Sequence, residues 1–495
     1  MYMKTTKSFF LILAAIFLAF FSACENKPSG SAASNSSNNV SIDETSDATQ
    51  EIDSKERYAP DFGDIDMNGY VFKIGTRDDS THSYPMHMRD LYAEKEDGDL
   101  INDAVYRRNV AIEEKYNCKI EPMSYPHSNP SQARDIAKKS ALAGDYSFDL
   151  LMANILHITD VAADGIFYDL ARFPNIDLSK PYWVKGATDG ISIGGKLYLG
   201  LSDLSFSTNE NLYCIFFNKT LLQNYGIENP YAYIKSDNWT FDVFGEIIRN
   251  GAEDLNGDGA MTKEDRFGYI SSNAMNFLWS GGGHIMKKDD SDIPYLDYVN
   301  DKTLAIFDKA YDMTNNEYTY SAKVWSDEDA LRMFKDGQGV FYSSELCQVN
   351  DLRGVEFDFG IVPYPKWDSS QDRYYTYVDG HASLMAIPIN LPQPEYTGIL
   401  IEELSYLSWK DIIPVYYNVV LGVKMARDEE SVQVLDTLIK SKVFDPGYAW
   451  SWDFWGIFLN SIQDKKRDFV SQYEKAEKAA TVALNKKFEK ILALD

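Results

Sequence analysis

The sequence is poor in cysteine, in histidine and in positive charge, and only one apolar run reaches helical length. Four cysteines in 495 residues are too few for a disulfide scaffold, and Cys118, Cys214 and Cys347 show no CxxC or Cys/His ligand spacing, so they read as buried free thiols. Six histidines are scattered, and no GxSxG, HExxH, P-loop or GxGxxG pattern occurs, so nothing marks a catalytic triad or a nucleotide site. Lysine and arginine number 48 against 75 aspartates and glutamates, a formal charge of −27. Such a surface repels phosphate backbones and argues against nucleic-acid binding. The apolar run Phe9 to Phe21 is 13 residues long, too short to span a bilayer. A chain of this length exceeds one core and suits two or three domains of ordinary size.

Lys4 and Lys7 precede that run and Ser22-Ala23-Cys24 follows it, the order of charge, apolar segment and small residues in an export signal. Residues 1–23 are therefore expected to be a signal peptide. The Cys after Ser-Ala resembles the lipobox of bacterial lipoproteins, with Phe21 in place of the usual Leu, which implies lipidation of Cys24 and an extracytoplasmic chain anchored to the membrane by lipid alone. Residues 24–62 are rich in Ser, Asn, Asp and Glu with little to bury, and are expected to form a disordered tether. A flexible tether of this length spans about 30 to 35 Å.

Beyond it the patterning alternates. YVFKIG (70–75) reads as a strand, Leu100 to Lys115 as a helix through Ile101, Ala104, Val105 and Ile112, Lys119 to Met123 as a strand, Gln132 to Ala143 as a helix, and FDLLMA (148–153) as a strand. That order predicts a parallel sheet covered by helices, with ligands beyond the carboxyl ends of its strands, near Arg77 and Asn154. GKLYLG (195–200), YCIFF (213–217), Val340 to Ser343, Phe357 to Pro363 and Ser383 to Pro388 also read as strands. Helices are expected over 239–249, 394–407, 431–441 and 464–494.

The segments NDAVYRRNVAIEEKY (102–116), GDYSFDL (144–150), GKLYLGLSD (195–203), FNKTLLQNYG (217–226), NWTF (238–241), FGIVPYP (359–365) and KMARDEES (424–431), in this order and spacing, resemble the extracellular solute-binding proteins of bacterial ABC importers, of the kind similar to maltose-binding protein. The resemblance implies an α/β, two-lobed periplasmic-binding-protein-like fold of class II, with discontinuous lobes closing on a ligand. Carried over by position, crossings fall near 204–208, 337–344 and 388–392. One lobe would hold 66–205 plus 340–388, the other 206–339 plus 389–495. The implied protein is a monomer and not an enzyme; it captures a carbohydrate and delivers it to ABC permease transmembrane subunits. A non-sugar solute or peptide, or a ligand sensor, is the alternative. A secreted glycoside hydrolase is the third, although 75 carboxylates make chance acid pairs abundant.

Sugars offer hydroxyls for hydrogen bonds and a flat C–H face for stacking, so a sugar cleft needs Trp and Tyr beside acids, amides and Arg. The candidates are Arg77, Asn154, Asp203, Ser205, Glu345, Asp379 and His381 for polar contacts. Trp183, Trp279, Trp450 and Trp452 are the candidates for stacking. Trp279 stands out because three glycines follow it and permit close backbone approach. No cofactor is required. The stretch DLNGDGAMTKED (254–265) places Asp254, Asn256 and Asp258 at positions 1, 3 and 5 of a calcium loop, Gly259 at 6, the Ala260 carbonyl at 7 and Asp265 at 12. Hard oxygen ligands at this spacing suit a structural Ca²⁺. Asp at position 12, where an EF-hand has Glu, makes the loop resemble that of a dockerin.

Overall fold

The predicted βα repeats carry their own local stop signals. In the helix Leu100–Tyr116, Asp99 accepts the N–H groups of Ile101 and Asn102, while Asn117 ends it in the left-handed region at φ 49°. The helix Gln132–Ala143 ends at Gly144, φ 75°, and returns the chain to the sheet. The computed structural model describes residues 55–78, 87–126, 129, 131–323, 328–422 and 429–494. The signal segment, Cys24 and the tether as far as residue 54 lie outside them; residues 55–62, expected to belong to the disordered tether, are instead packed on the first lobe, where Glu56 pairs with Lys410, Tyr58 stands edge-on to Trp409 and Phe62 joins the edge of the core.

Nine strands form the two main sheets. They are β1 (Tyr70–Asp78), β2 (Cys118–Pro126), β3 (Leu150–Asn154), β4 (Tyr213–Asn218), β5 (Phe267–Ser271), β6 (Thr319–Ser321), β7 (Gly339–Glu345), β8 (Phe359–Val362) and β9 (Ser383–Ala386). The first sheet has the order β9-β3-β1-β2, with β1 parallel to both neighbours and β9 antiparallel to β3. The second has the order β8-β4-β7-β5-β6. Successive residues of β3 point to opposite faces. Leu150 and Met152 join a core with Phe72, Ile112, Ile399 and Leu404, while Leu151 and Ala153 join another with Ala137 and Ile158. Helices therefore cover both faces of the first sheet, which explains the near-continuous apolar run at 148–153. The second sheet is packed by aromatics, Trp239, Phe244, Tyr269, Phe277 and Phe341, all within 1% of full burial.

The structure corrects the expected lobe boundaries. The segment 340–388 was assigned to the first lobe, yet β7 is the central strand of the second sheet, paired with β4 and β5, and β8 flanks β4. Only β9 returns to the first sheet. The crossing expected at 337–344 is thus a strand, and the chain passes between sheets after Val362 instead. Likewise the helix Pro394–Leu407 was assigned to the second lobe, but Ile399, Leu400 and Leu404 pack into the core of the first. A buried run such as Val340-Phe341-Tyr342 satisfies either sheet, so its partner is a tertiary choice. Residues 195–200 form no strand; Gly200 makes only an isolated bridge with Met385. The first crossing, Asp203–Asn211, does fall near its expected place and is a kinked 3₁₀ segment with Ser205 at φ −89°, ψ 60°. Leu212 after it bridges to Val378, so two crossings run side by side.

Candidate functional site

The carboxyl ends of β1 and β3, the start of β9 and the end of β7 converge where these crossings meet. Asn154 ends β3 and pairs in register with Ser383 of β9. Both are buried to within 1%, yet the amide oxygen and nitrogen of Asn154 and the Ser383 hydroxyl find no hydrogen-bond partner among the described residues. The Thr76 hydroxyl of β1, the Asn211 amide oxygen of the first crossing, and the Asn276 oxygen and Ser280 hydroxyl of the helix Asn276–Ser280 share that state. Buried polar atoms without partners cost about 1–3 kcal/mol each in mutational terms, so these groups are candidates for bonds to a ligand.

Beside them lies a titratable cluster. The Asp379 N–H donates to the Asn211 carbonyl at 2.9 Å. The Asp379 carboxylate accepts the His381 N–H at 2.9 Å and faces His381 Nδ1 at 2.5 Å. The Tyr213 hydroxyl reaches its other oxygen at 3.4 Å. The Gly380 N–H donates to the Tyr448 hydroxyl at 2.9 Å, and His87 Nε2 donates to the His381 carbonyl at 2.8 Å. Glu345 ends β7 opposite Tyr213 in register and accepts the Cys347 thiol at 3.6 Å. Burial, reinforced by the Asp379 charge and opposed by His381, pushes the Glu345 carboxyl up to about 8. Burial disfavours charge on His381, but its bond to Asp379 and the two carboxylates outweigh this and raise its pKa. Arg77, 4% exposed, lies close enough to His381 to oppose that rise. Arg77, Asn154, Glu345, Asp379 and His381 are therefore brought together as expected. The raised Glu345 carboxyl beside the Asp379–His381 pair gives the cluster donors and acceptors together, a mixed lining suited to hydroxyl groups, which both donate and accept.

The remaining candidates go elsewhere. Trp279 stacks on Tyr377 at 4.1 Å and 6°, sits edge-on to Tyr448, and donates its indole N–H to Asp445 at 2.9 Å. Its glycines serve packing: a Cβ on Gly283 would meet Leu278 Cδ1 at 2.6 Å and one on Gly281 would meet Ile306 at 2.9 Å. Trp183 gives its N–H to Glu402 at 2.8 Å inside the first lobe, with its ring against Gly200. Trp450, 3% exposed, stands edge-on to Phe488. Three expected stacking platforms are thus core residues, and the Trp452 side chain lies outside the described residues. Asp203, half-buried and pushed up to about 6 by burial against the pull of Lys442, faces Lys442 and shows no contact with the cluster among the described residues. Ser205 is buried in the first crossing, its hydroxyl without a described partner.

Sequence reasoning missed Tyr213, Asn211, Ser383 and Tyr448. Ser383 was legible as a strand residue, but its place opposite Asn154 depends on β9 crossing back. The acid loop keeps its sequence geometry. Asp254 accepts the N–H groups of Gly257 and Gly259 at 2.7 and 2.8 Å, Asp265 those of Leu255 and Thr262 at 3.0 and 2.8 Å, and Gly259 turns at φ 83°. Among the described residues no three His, Cys, Asp or Glu side chains gather as a metal group. The three described cysteines are free and buried.

The geometry is thus one of two helix-covered sheets joined by adjacent crossings, with polar capacity left open where they meet. Residues 110–405 match the model of the bacterial extracellular solute-binding protein family, and the chain belongs to that family. The fold is shared with M. tuberculosis UspC (13% identity, 84% of this chain and 100% of the other, TM-score 0.56). It is also shared with a cyclo/maltodextrin-binding protein in complex with maltotetraose (13%, 85% and 96%, TM-score 0.53). A sugar transporter from Rhizobium etli in an open conformation is similar to the same degree (14%, 86% and 100%, TM-score 0.52). No curated protein sequence matches the chain. No described helix is long and apolar enough to cross a membrane.

Proposed function

We propose that the protein is a carbohydrate receptor of an ABC importer, taking a mono- or oligosaccharide at the seam between its lobes and presenting the closed form to permease transmembrane subunits. The observation that carries this is the open hydrogen-bonding capacity of Asn154, Ser383, Thr76, Asn211 and Asn276 around the Asp379–His381 pair. A sugar hydroxyl array answers donors and acceptors at once. The bound sugars of structural relatives such as the maltodextrin-binding protein support the same class. Ligand contacts available from both lobes only when they approach shift the balance toward closure. Lipidation at Cys24 with a tether to about residue 54 holds the receptor beside its permease as a monomer, and a Ca²⁺ at Asp254, Asn256, Asp258, Ala260 and Asp265 stiffens one surface loop. The lobes consist of residues 66–205, 383–386 and 394–407 on one side and 213–362 on the other.

The test is a thermal-shift screen of the purified protein against mono- and oligosaccharides and a peptide set, with calcium held constant. A ligand at 100 times its Kd adds about 2.7 kcal/mol of stability. The expected result is a sugar that raises the melting temperature of the wild type more than that of Asn154→Ala. Stabilisation by peptides with none by sugars would replace carbohydrate with another solute.

A further inference from the structure

Two hollows of small-molecule size are lined by one lobe each, about 790 Å³ between the helix Leu100–Tyr116 and β2, and about 550 Å³ beside the helix Phe241–Asn250. A third, of about 400 Å³, is lined from both lobes, within the ~300–1,000 Å³ range of ligand pockets. Arg89 and Asn102 lie on its first-lobe side, Glu210 in the first crossing, Val349 and Arg353 on its second-lobe side, and Tyr416 on the helix Ile413–Gly422. It adjoins the seam without sharing its open groups: Cys347 in its lining donates its thiol to Glu345 at 3.6 Å, while Thr76, Asn154, Asn211, Asn276 and Ser383 are not among its lining residues.

Its interior is built, and part of its bonding capacity is open. Arg89 is anchored by an ion pair to Glu210 and lies 5.4 Å above the Phe206 ring. Its Nε is nevertheless buried without a partner among the described residues. Tyr416 is fully buried, and its hydroxyl likewise has no described partner. Arg353 gives one N–H to Asn350 at 2.7 Å and forms no ion pair among the described residues. Opposite these donors are acceptors already partly used, since Asp99 caps its helix and Asp97 accepts the Asp99 N–H at 3.0 Å. Two arginines against Asp97, Asp99 and Glu210 leave the lining one charge negative, which disfavours an anion, and open donors beside carboxylates suit hydroxyls.

We infer that this cavity is a second binding site, for a small neutral polyol no larger than a monosaccharide. Because both lobes line it, its occupancy is linked to their arrangement, and its ligand and the seam ligand change each other's affinity by the same factor.

Sorbitol, glucose and citrate are the probes, titrated calorimetrically into the purified protein, with alkylation of Cys347, which lines the cavity, followed by mass spectrometry against Cys118 as control. Sorbitol or glucose is expected to bind wild type and Asn154→Ala alike and to slow alkylation of Cys347 but not of Cys118. In Tyr416→Phe combined with Arg353→Ala, that binding weakens about tenfold or more while the seam ligand of the screen still stabilises the protein. The inference is overturned if neither polyol binds, if Asn154→Ala abolishes the binding, if the double variant leaves it unchanged, or if citrate binds more tightly than sorbitol. Polyol binding in a protein whose seam takes no sugar would remove the carbohydrate reading of the seam and leave the second site standing.

Discussion

Two buried regions meet near Asp379 and solve the same problem in opposite ways. In the aromatic knot of Trp279, Tyr377 and Tyr448, every described bond is closed on the protein itself. Asp445 alone accepts the Trp279 indole at 2.9 Å and the N–H groups of Ile285, Met286 and Gly447 at 2.7, 3.2 and 2.7 Å. In the polar seam of Asn154, Ser383 and Asn211, equally buried atoms are left open. Protein interiors rarely tolerate such atoms, so the contrast is between groups whose bonds the fold closes and groups that the proposed solute would answer.

The contrast is broken most severely in the knot. Trp279→Ala is expected to cost about 3–5 kcal/mol in urea unfolding, the range for deleting a buried aromatic, while the protein that remains folded binds its sugar with nearly wild-type affinity. If affinity collapses with little loss of stability, Trp279 is a ligand platform after all. Asp445→Ala leaves four donors facing the gap and should cost about 3 kcal/mol, read in the same unfolding experiment. In the seam the signs reverse: Asn154→Ala is expected to change stability by less than about 1 kcal/mol and to weaken sugar binding by about 1–3 kcal/mol, measured by calorimetric titration.

A smaller effect comes from the acid pair between the two regions. The Glu345 carboxyl, lifted from 4.5 to about 8 by burial and by Asp379, holds its proton in the folded state where the unfolded chain has lost it. Between these values the folded protein binds more protons, so this group's contribution is full below about pH 4.5 and is lost as pH rises through about 8. Melting temperature should fall across that window in wild type and fall less steeply in Glu345→Gln. A slope unchanged by Glu345→Gln would mean that the carboxyl is already ionised in the fold. The smallest expected effect is that of calcium: chelation should lower the melting temperature by about 2 °C through the loop at 254–265, and Asp254→Ala should abolish the difference.

Much of the local structure was legible. The helix Phe241–Asn250 begins at Thr240, which accepts the Val243 N–H, and the helices Gln132–Ala143 and Pro394–Leu407 have the bounds their patterning predicts. The places of Arg77 and Asn154 at the carboxyl ends of β1 and β3 were legible because the strand runs themselves are local. The tryptophans were not, because a buried aromatic and a stacking platform have the same sequence appearance. Trp279 differs from a platform only through Tyr377 and Asp445, residues far along the chain.

The sequence by itself determined the acid loop, the caps, the strand and helix runs and the acidic charge, since each depends on neighbours within a few residues. Only the tertiary structure decided that β7 belongs to the second sheet, that Ser383 lies opposite Asn154, and that Glu345 shares its burial with Asp379. Those outcomes rest on which distant strand supplies the hydrogen-bonding edge, and a backbone edge carries no side-chain signature by which the sequence could name its partner.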